Sequence, residues 1–412
     1  MINILAIGDT ANNIVVLQKY LKKSKIHLIN FPLKGPGKFT YDNNVEFFDS
    51  LKISKQVKKI KQIKDQYDLC LTISWEGARI AYLADLNYIM YFVGDNIHKA
   101  PFNKNPHPSY LKNPIHSFNW IERKFLKNIF DNAIECIQYG KEQSKILREY
   151  KKDGIRLDRN PVDTEIFNDK VKPIDEDKKK FTFFSPQRQG LEKGIDVIWK
   201  SLPLCKSEFN VLQVDWFDKR TPEEEGISRK FFENLPSQVK LIPLIKREEM
   251  SKYYAFCDGV IGQMRAGMCG GIEREAAFCK KPVVNYADPK VTYLIDGMEM
   301  ESGFEPNSQD PKIVAKFIDN IVESKDFRNK LVQKQYNFVN NLSDPKKCAE
   351  EWEKIFQNLV SKHKSINRNS SKIKSKIYNL SANLAEKMVY SKKWKVRHIK
   401  NMGEEDYEKL SK

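Results

Sequence analysis

Two cations stand five residues apart in the middle of the sequence, where a buried strand is predicted to end. In the stretch FFSPQRQGLEKGID the apolar run stops near Ser185, and Arg188 and Lys193 follow it with glycines close by. An arginine offers a planar fork of donors and a lysine a compact point charge, so the pair suits a diphosphate that gains charge as it leaves. Taken alone, the same pair also fits an ordinary solvated basic loop.

A glycine-bearing turn follows a later predicted strand, in the stretch IGQMRAGMCGGIEREAAFCKKPVV. The turn contains Gly267, Gly270 and Gly271, and it leads into a predicted helix that carries Glu273 and Glu275. Glycines let the backbone approach a ligand closely, and the start of a helix offers free N–H groups to phosphate oxygens. A carboxylate one turn inside the helix can accept hydrogen bonds from two ribose hydroxyls. The two glutamates are two residues apart, so they point in different directions. An ordinary helix start would have the same composition.

The elements that must position these residues alternate between apolar runs and helical patterns. The predicted strands are INILAIG, IHLINF, YDLCLTIS, YIMYFVGD and AIECIQYG, and later FTFFSP, FNVLQVDW, VKLIPLI, DGVIGQM and KPVVNYA. This alternation predicts an α/β protein with two doubly wound, mostly parallel sheets, which bind ligands beyond the carboxyl ends of their strands. We place one Rossmann-like domain at 1–160 and a second at 161–342. A helix at 343–362 is expected to return to the first domain, and a basic tail occupies 363–412.

The order of the two motifs is more specific than either motif alone. The pattern R-x4-K-G after one strand, followed by G-x4-E-A before K-x-P-V-V, resembles the C-terminal domain of the group 1 (family 4) retaining glycosyltransferases. RNPVDTEIF resembles the family's N-G-V-D-x-x-x-F junction, with Pro161 in place of the glycine. The segment VKLIPLIKREEMSKYYAFCDGVIGQ resembles the family's passage through a helix into a strand. The resemblance covers about Asn160 to Val284 and implies the GT-B fold, in which two facing doubly wound Rossmann-like domains carry a C-terminal helical extension.

The resemblance also implies a role for each residue of the two motifs. Arg188 and Lys193 would be the catalytic cations that hold the diphosphate of a nucleotide-sugar donor and stabilise the departing nucleotide. Glu275 would bind the ribose, and the other donor-binding candidates are Gly270, Gly271 and Glu273. The implied activity is the retaining transfer of a hexosyl unit to a glycan, lipid-linked or polysaccharide acceptor. No metal or other cofactor is expected, because two cations already serve the phosphates.

The sequence departs from the family pattern at the sugar end of the donor site. The family has two glutamates in the spacing E-x7-E, of which the first contacts the donor sugar, and this position is Gly267 here. Two alternatives therefore stay open. The chain could be a catalytically impaired GT-B protein that only binds nucleotide-sugars, or a GT-B nucleotide-sugar epimerase that needs no acceptor.

The first domain is expected to present the acceptor from the ends of its strands. The candidates on that side are Gly8, Asp9, Asn12, Trp75, Glu76, Asp95 and His98. Trp75 could stack on a sugar face, and Glu76 or Asp95 could orient an acceptor hydroxyl. The alternative for such residues is a structural one, with an aspartate that caps a helix and a tryptophan that packs in a core.

Composition and charge restrict the class of protein. The 412 residues carry a net charge of +17, and the tail at 363–412 holds 13 Lys and Arg against 5 Asp and Glu. Apolar residues recur in that tail at helical spacing, so it could lie on an anionic membrane surface or simply dock on the protein. Nucleic-acid binding ranks last, because no basic platform interleaved with aromatic residues is present. Seven scattered cysteines, no apolar spanning stretch and no signal-peptide pattern predict a cytoplasmic protein, peripheral on the membrane at most.

Overall fold

The computed structural model describes residues 1–32, 45–93, 97, 120–188, 190–216, 222–363, 376–377, 380–381 and 384. It divides into two compact units, Met1–Asp158 with Cys348–Lys412, and Arg159–Lys347. The acceptor-side candidates Asp95 and His98, and most of the basic tail, lie outside the described residues. No helix among the described residues is long and apolar enough to cross a membrane.

The first unit is built on a seven-stranded parallel sheet in the order β3-β2-β1-β4-β5-β6-β7. Its strands are β1 (Ile2–Ile7), β2 (Ser24–Asn30), β3 (Glu46–Phe47), β4 (Leu69–Ile73), β5 (Tyr88–Phe92), β6 (Glu135–Gln138) and β7 (Ile155–Arg156). Its helices are α1 (Asn13–Tyr20), α2 (Ile53–Ile63), α3 (Ser74–Leu83), α4 (Trp120–Asp131) and α5 (Lys141–Tyr150). The strand order reverses between β1 and β4.

Apolar residues on both faces of β1 explain why this sheet is covered on both sides. Leu5 and Ile7 lie in one buried cluster with residues of α2, α3, α4 and α5. Ile4 and Ala6 point to the opposite face, as the period of two in a strand requires, and join a second cluster. That second cluster also contains Trp352, from helix α12 (Pro345–His363).

The second unit is built on a five-stranded parallel sheet in the order β10-β9-β8-β11-β12. Its strands are β8 (Phe181–Ser185), β9 (Phe209–Val214), β10 (Val239–Ile242), β11 (Gly259–Ile261) and β12 (Val283–Val284), with a separate hairpin of β13 (Thr292–Ile295) and β14 (Met298–Glu301). Its helices are α6 (Ile195–Ser201), α7 (Pro222–Glu233), α8 (Arg247–Phe256), α9 (Gly271–Phe278), α10 (Pro311–Glu323) and α11 (Lys325–Ser343). The strand order reverses between β8 and β11, and a doubly wound sheet binds its ligands at such a switch point.

Two helices of the structure start at Asp-Pro pairs. The carboxylate of Asp310 accepts a hydrogen bond from the backbone N–H of Lys312 at 2.9 Å, and Pro311 is the first residue of α10. Asp344 accepts from the backbone N–H of Lys346 at 3.0 Å at the start of α12. The N–H of the first helical residue has no partner within the helix, so proline, which lacks an N–H, is well tolerated there. An aspartate followed by a proline is therefore a good marker of a helix start.

Candidate functional site

The two motifs of the second unit meet at the switch point of its sheet. β8 and β11 pair in parallel, with Val260 opposite Phe184, so their carboxyl ends lie side by side. The loop after β8 carries Arg188 and Lys193, and the loop after β11 carries Gln263 and the glycine turn. The topology therefore brings together residues that are far apart in the chain.

Lys193 is fixed in place by its own backbone. It ends a short 3-10 turn, Leu191–Lys193, and its carbonyl accepts a hydrogen bond from Met264 N at 2.8 Å. The next residue, Gly194, has a φ of 77°, and a Cβ there would lie 2.8 Å from the Cβ of Met264. Only glycine fits this close crossing of two loops. The side chain of Lys193 then reaches the other loop, where Nζ donates to Oε1 of Gln263 at 3.1 Å.

Arg188 lies on the same loop but has a different kind of partner. Its guanidinium forms an ion pair with the carboxylate of Glu192, one turn later, and the two side chains are 30% and 33% exposed. An anion that binds Arg188 must therefore take the place of this carboxylate or share the guanidinium with it. The sequence motif predicted the cation but not its partner.

Glu273 holds the glycine turn together. One carboxylate oxygen accepts from the backbone N–H of Gln263 at 2.9 Å, and the other accepts from the N–H of Gly270 at 2.7 Å. The side chain is buried, and its bond to the N–H of the N-cap residue Gly270 is the glutamate half of a capping box at the start of α9. Both oxygens are thus engaged by the loop itself, and a donor-binding role for Glu273 stays a prediction.

The turn at Gly267 explains why the family's first glutamate is absent. Gly267 has a φ of 72°, and a Cβ at this position would lie 2.6 Å from the Cβ of Asp288. A side chain there requires both an unfavourable backbone conformation and a movement of the neighbouring loop. The turn in this chain is built around glycine, so a glutamate could not simply be restored.

Glu275 points away from Glu273, as predicted from their spacing, and lies in a buried polar cluster. Oε1 pairs with the guanidinium of Arg247 at 2.8 Å, and Oε2 accepts from the hydroxyl of Tyr254 at 3.4 Å. The guanidinium of Arg247 also lies 5.0 Å from the ring centroid of Phe167. Phe167, Arg247 and Tyr254 each matched the family pattern separately, and the structure places them around one carboxylate.

Burial controls the protonation of this cluster. It raises the pKa of the Glu275 carboxyl above its ordinary value of 4.5, although the nearby Arg247 charge acts in the opposite direction. Burial also raises the pKa of Tyr254 well above 10, so its phenol stays a hydrogen-bond donor to the carboxylate. Within this cluster, the positive charge of Arg247 stabilises the ionised form of Glu275 against the effect of burial.

The candidates at the strand ends of the first unit have structural roles in this structure. Gly8 has a φ of 86°, and a Cβ there would lie 2.8 Å from the carbonyl oxygen of Ile73. The carboxylate of Asp9 accepts from the backbone N–H groups at the start of α1, at 3.1 and 3.4 Å, so this aspartate caps the helix. Asn12 is buried beside it in a left-handed conformation.

Trp75 and Glu76 differ in exposure at the start of α3. The Trp75 ring packs 5.7 Å from the ring of Phe92 against the buried core, as the structural alternative predicted. Glu76 lies exposed in the first turn of α3, and its role toward an acceptor stays a prediction.

Neither the role of Gln263 nor the pairing of Arg247 with Glu275 was predicted from the sequence. A signal for Gln263 was present, because a polar residue two positions after β11 lies at the carboxyl end of a strand. The pairing of Arg247 with Glu275 joins two helices and leaves no spacing pattern in the chain.

Several solved structures share this architecture. HepE from Anabaena in complex with UDP and glucose aligns with a TM-score of 0.62 at 15% identity, over 87% of this chain and all of that one. Sucrose-phosphate synthase from Thermosynechococcus elongatus aligns with a TM-score of 0.62 at 16% identity, over 88% of this chain and 100% of that one. A glycosyltransferase from Rickettsia africae aligns with a TM-score of 0.58 at 16% identity, over 90% and 99%.

No protein-family model matches the amino-acid sequence, and no curated protein matches it either. The whole-chain alignments nevertheless show that the fold, with its two parallel α/β sheets and C-terminal helix, is that of those structures. The chain therefore has the GT-B fold of glycosyltransferases.

Proposed function

We propose that this protein is a glycosyltransferase that moves a hexosyl unit from a nucleoside diphosphate sugar to a glycan, lipid-linked or polysaccharide acceptor, with retention at the sugar carbon. The observation that carries the proposal is the position of Lys193, whose ammonium lies at the switch point of the second sheet, against the glycine-turn loop. The fold is that of HepE, which has been solved with UDP and glucose. A cation at this place suits the diphosphate of such a donor.

Lys193 and Arg188 would act on the leaving group. As the bond between the sugar and the diphosphate breaks, negative charge grows on the terminal phosphate. An ammonium and a guanidinium placed there beforehand stabilise that charge without reorganising during the reaction. The backbone N–H groups at the start of α9, after Gly270 and Gly271, would add further donors to the phosphate oxygens.

Glu275 would bind the ribose of the nucleotide. Its carboxylate accepts hydrogen bonds from Arg247 and Tyr254, and a carboxylate has about four lone-pair positions, so further acceptor capacity remains for ribose hydroxyls. The fixed partners hold the carboxylate in one orientation. This arrangement favours a nucleotide over a free diphosphate.

The test is turnover and binding with UDP-, GDP- and ADP-glucose. We expect Lys193→Ala and Arg188→Ala each to lower kcat by about 10²–10³, as the loss of one donor to a developing charge does, with little change in thermal unfolding. Lys180→Ala is the matched control, because this lysine pairs with Glu208 at the amino end of β8, away from the site. Full activity in either site variant would refute the assignment of the cations.

The glycine turn at Gly267 favours two alternative functions, because a glutamate was expected at this position to contact the donor sugar. In the first, the protein binds the nucleotide-sugar without transferring the sugar. In the second, it is an epimerase that inverts a sugar carbon of the donor. Incubation with donor alone separates the possibilities. A new epimeric donor indicates the epimerase, slow release of free sugar indicates a transferase without its acceptor, and binding without any product indicates a binding protein.

A further inference from the structure

Gln263 is a buried glutamine that connects the two loops of the candidate site. It lies two residues after the end of β11, and only 3% of its surface is exposed. Its Oε1 accepts from the ammonium of Lys193 at 3.1 Å, and its Nε2 donates to the carbonyl of Met268 at 2.7 Å. The side-chain amide therefore ties the cation of one loop to the glycine turn of the other.

The backbone of Gln263 is held as firmly as its side chain. Its N–H donates to Glu273 at 2.9 Å, and its carbonyl accepts from Tyr286 N at 3.0 Å. The amide cannot rotate away from Lys193 without leaving a buried polar group unpaired, which is unfavourable. The position of the Oε1 atom is thus determined by the loop and not by the lysine.

The two cations of the site differ in the charge of their partner. Arg188 faces the carboxylate of Glu192, whereas Lys193 faces a neutral amide and, within the part of the chain that the structure describes, has no carboxylate within ion-pair distance. A neutral acceptor orients the ammonium without adding a negative charge that would compete with a phosphate. An ammonium has three N–H donors, so two remain for phosphate oxygens after the bond to Gln263.

We propose that Gln263 is a positioning residue, which orients the Lys193 ammonium toward the donor diphosphate without placing a competing negative charge beside it. This role rests on the proposed function, because it requires a phosphate ligand at Lys193. Its effect on the ligand is exerted through Lys193, so the two residues must be energetically coupled.

The test is a double-mutant cycle with UDP as the ligand and calorimetry as the measurement. Gln263→Met removes both hydrogen bonds at similar length, and we expect the Kd for UDP to rise about tenfold, as for a lost bond to a charged group. In a Lys193→Met background the same change should raise the Kd by less than about twofold. Gln263→Glu keeps an acceptor but adds a charge, and it too should weaken UDP binding.

Gln335 provides a matched control in the same unit. It is also a buried glutamine, and its amide bonds to the backbone N–H and carbonyl of Val283, at 3.0 and 2.8 Å. Gln335→Met should lower the thermal stability and leave the Kd for UDP unchanged.

The outcomes separate the two proposals. Equal losses for Gln263→Met with and without Lys193 would mean a purely structural glutamine and would overturn the positioning role alone. Normal UDP binding by Gln263→Glu would overturn the need for a neutral acceptor. A wild-type protein that binds none of UDP, GDP and ADP would overturn the proposed function, and the positioning role with it.

Discussion

Replacement of Glu192 by glutamine should strengthen donor binding. In the structure its carboxylate pairs with Arg188, one of the two cations assigned to the diphosphate. A diphosphate that uses Arg188 fully must first break this pair. Glu192→Gln removes the charge of this carboxylate and keeps the length of the side chain, so the carboxylate no longer competes with the diphosphate for the arginine.

The size of the gain follows from the exposure of the pair. Both side chains are about one-third exposed, at 30% and 33%, and ion pairs of this kind contribute about 0.2–1 kcal/mol. Since 1.36 kcal/mol corresponds to a factor of ten, the affinity should rise by up to about fivefold. Salt screens the attraction of Arg188 to Glu192 and its attraction to the diphosphate. The gain in UDP affinity should therefore shrink at high ionic strength.

The assay is calorimetric titration with UDP at about 0.05 M and about 0.5 M salt. Glu208→Gln is the control, because it removes the same charge from an exposed pair with Lys180 at the opposite end of β8. Unchanged or weaker UDP binding in Glu192→Gln would refute the idea of competition. An equal gain in Glu208→Gln would show that net charge, and not the local pair, is responsible.

Three further changes test other parts of the structure. Because burial raises the pKa of Glu275 above 4.5, the folded state binds more protons than the unfolded state in the window above that pH, and stability falls as pH rises through it. Glu275→Gln should flatten this dependence in denaturant unfolding between pH 4 and 8, at a cost of roughly 1–3 kcal/mol from the unpaired Arg247. Trp352→Ala should destabilise the first unit by about 3–5 kcal/mol in denaturant unfolding, because the ring is buried 5.1 Å from that of Tyr91. Gly194→Ala places a side chain at a φ of 77°, so it should lower the free energy of unfolding by roughly 1–3 kcal/mol and weaken UDP binding. Wild-type values of the unfolding temperature in thermal shift and of the Kd for UDP in calorimetry would contradict this expectation.

The sequence predicted the framework of the site because that framework is recorded in local patterns. Helix α9 follows the glycine turn as predicted, and the strands before the two motifs lie where the apolar runs indicated. Apolar periodicity and glycine positions are properties of neighbouring residues, so they can be read from the chain.

The hydrogen-bond partners within the site could not be predicted in the same way. Gln263 reaches Lys193 across 70 residues, and Arg247 reaches Glu275 between two helices. Partner choice depends on distances that exist only after the sheet has formed. For Gly267 the sequence showed which residue was missing, and only the fold shows that the turn leaves no room for it.

Helix α12 has a consequence for biosynthesis. Trp352 and Phe356 belong to the core of the unit that is otherwise formed by the first 158 residues. On the ribosome those residues emerge before the second unit, yet the face of their sheet that α12 covers has only part of its cover, from α1, until the whole second unit has been made. At about 5–20 residues per second, the delay is roughly 10 to 40 s. During that time the nascent first unit exposes an apolar surface that a chaperone can bind, while the second unit is free to fold on its own.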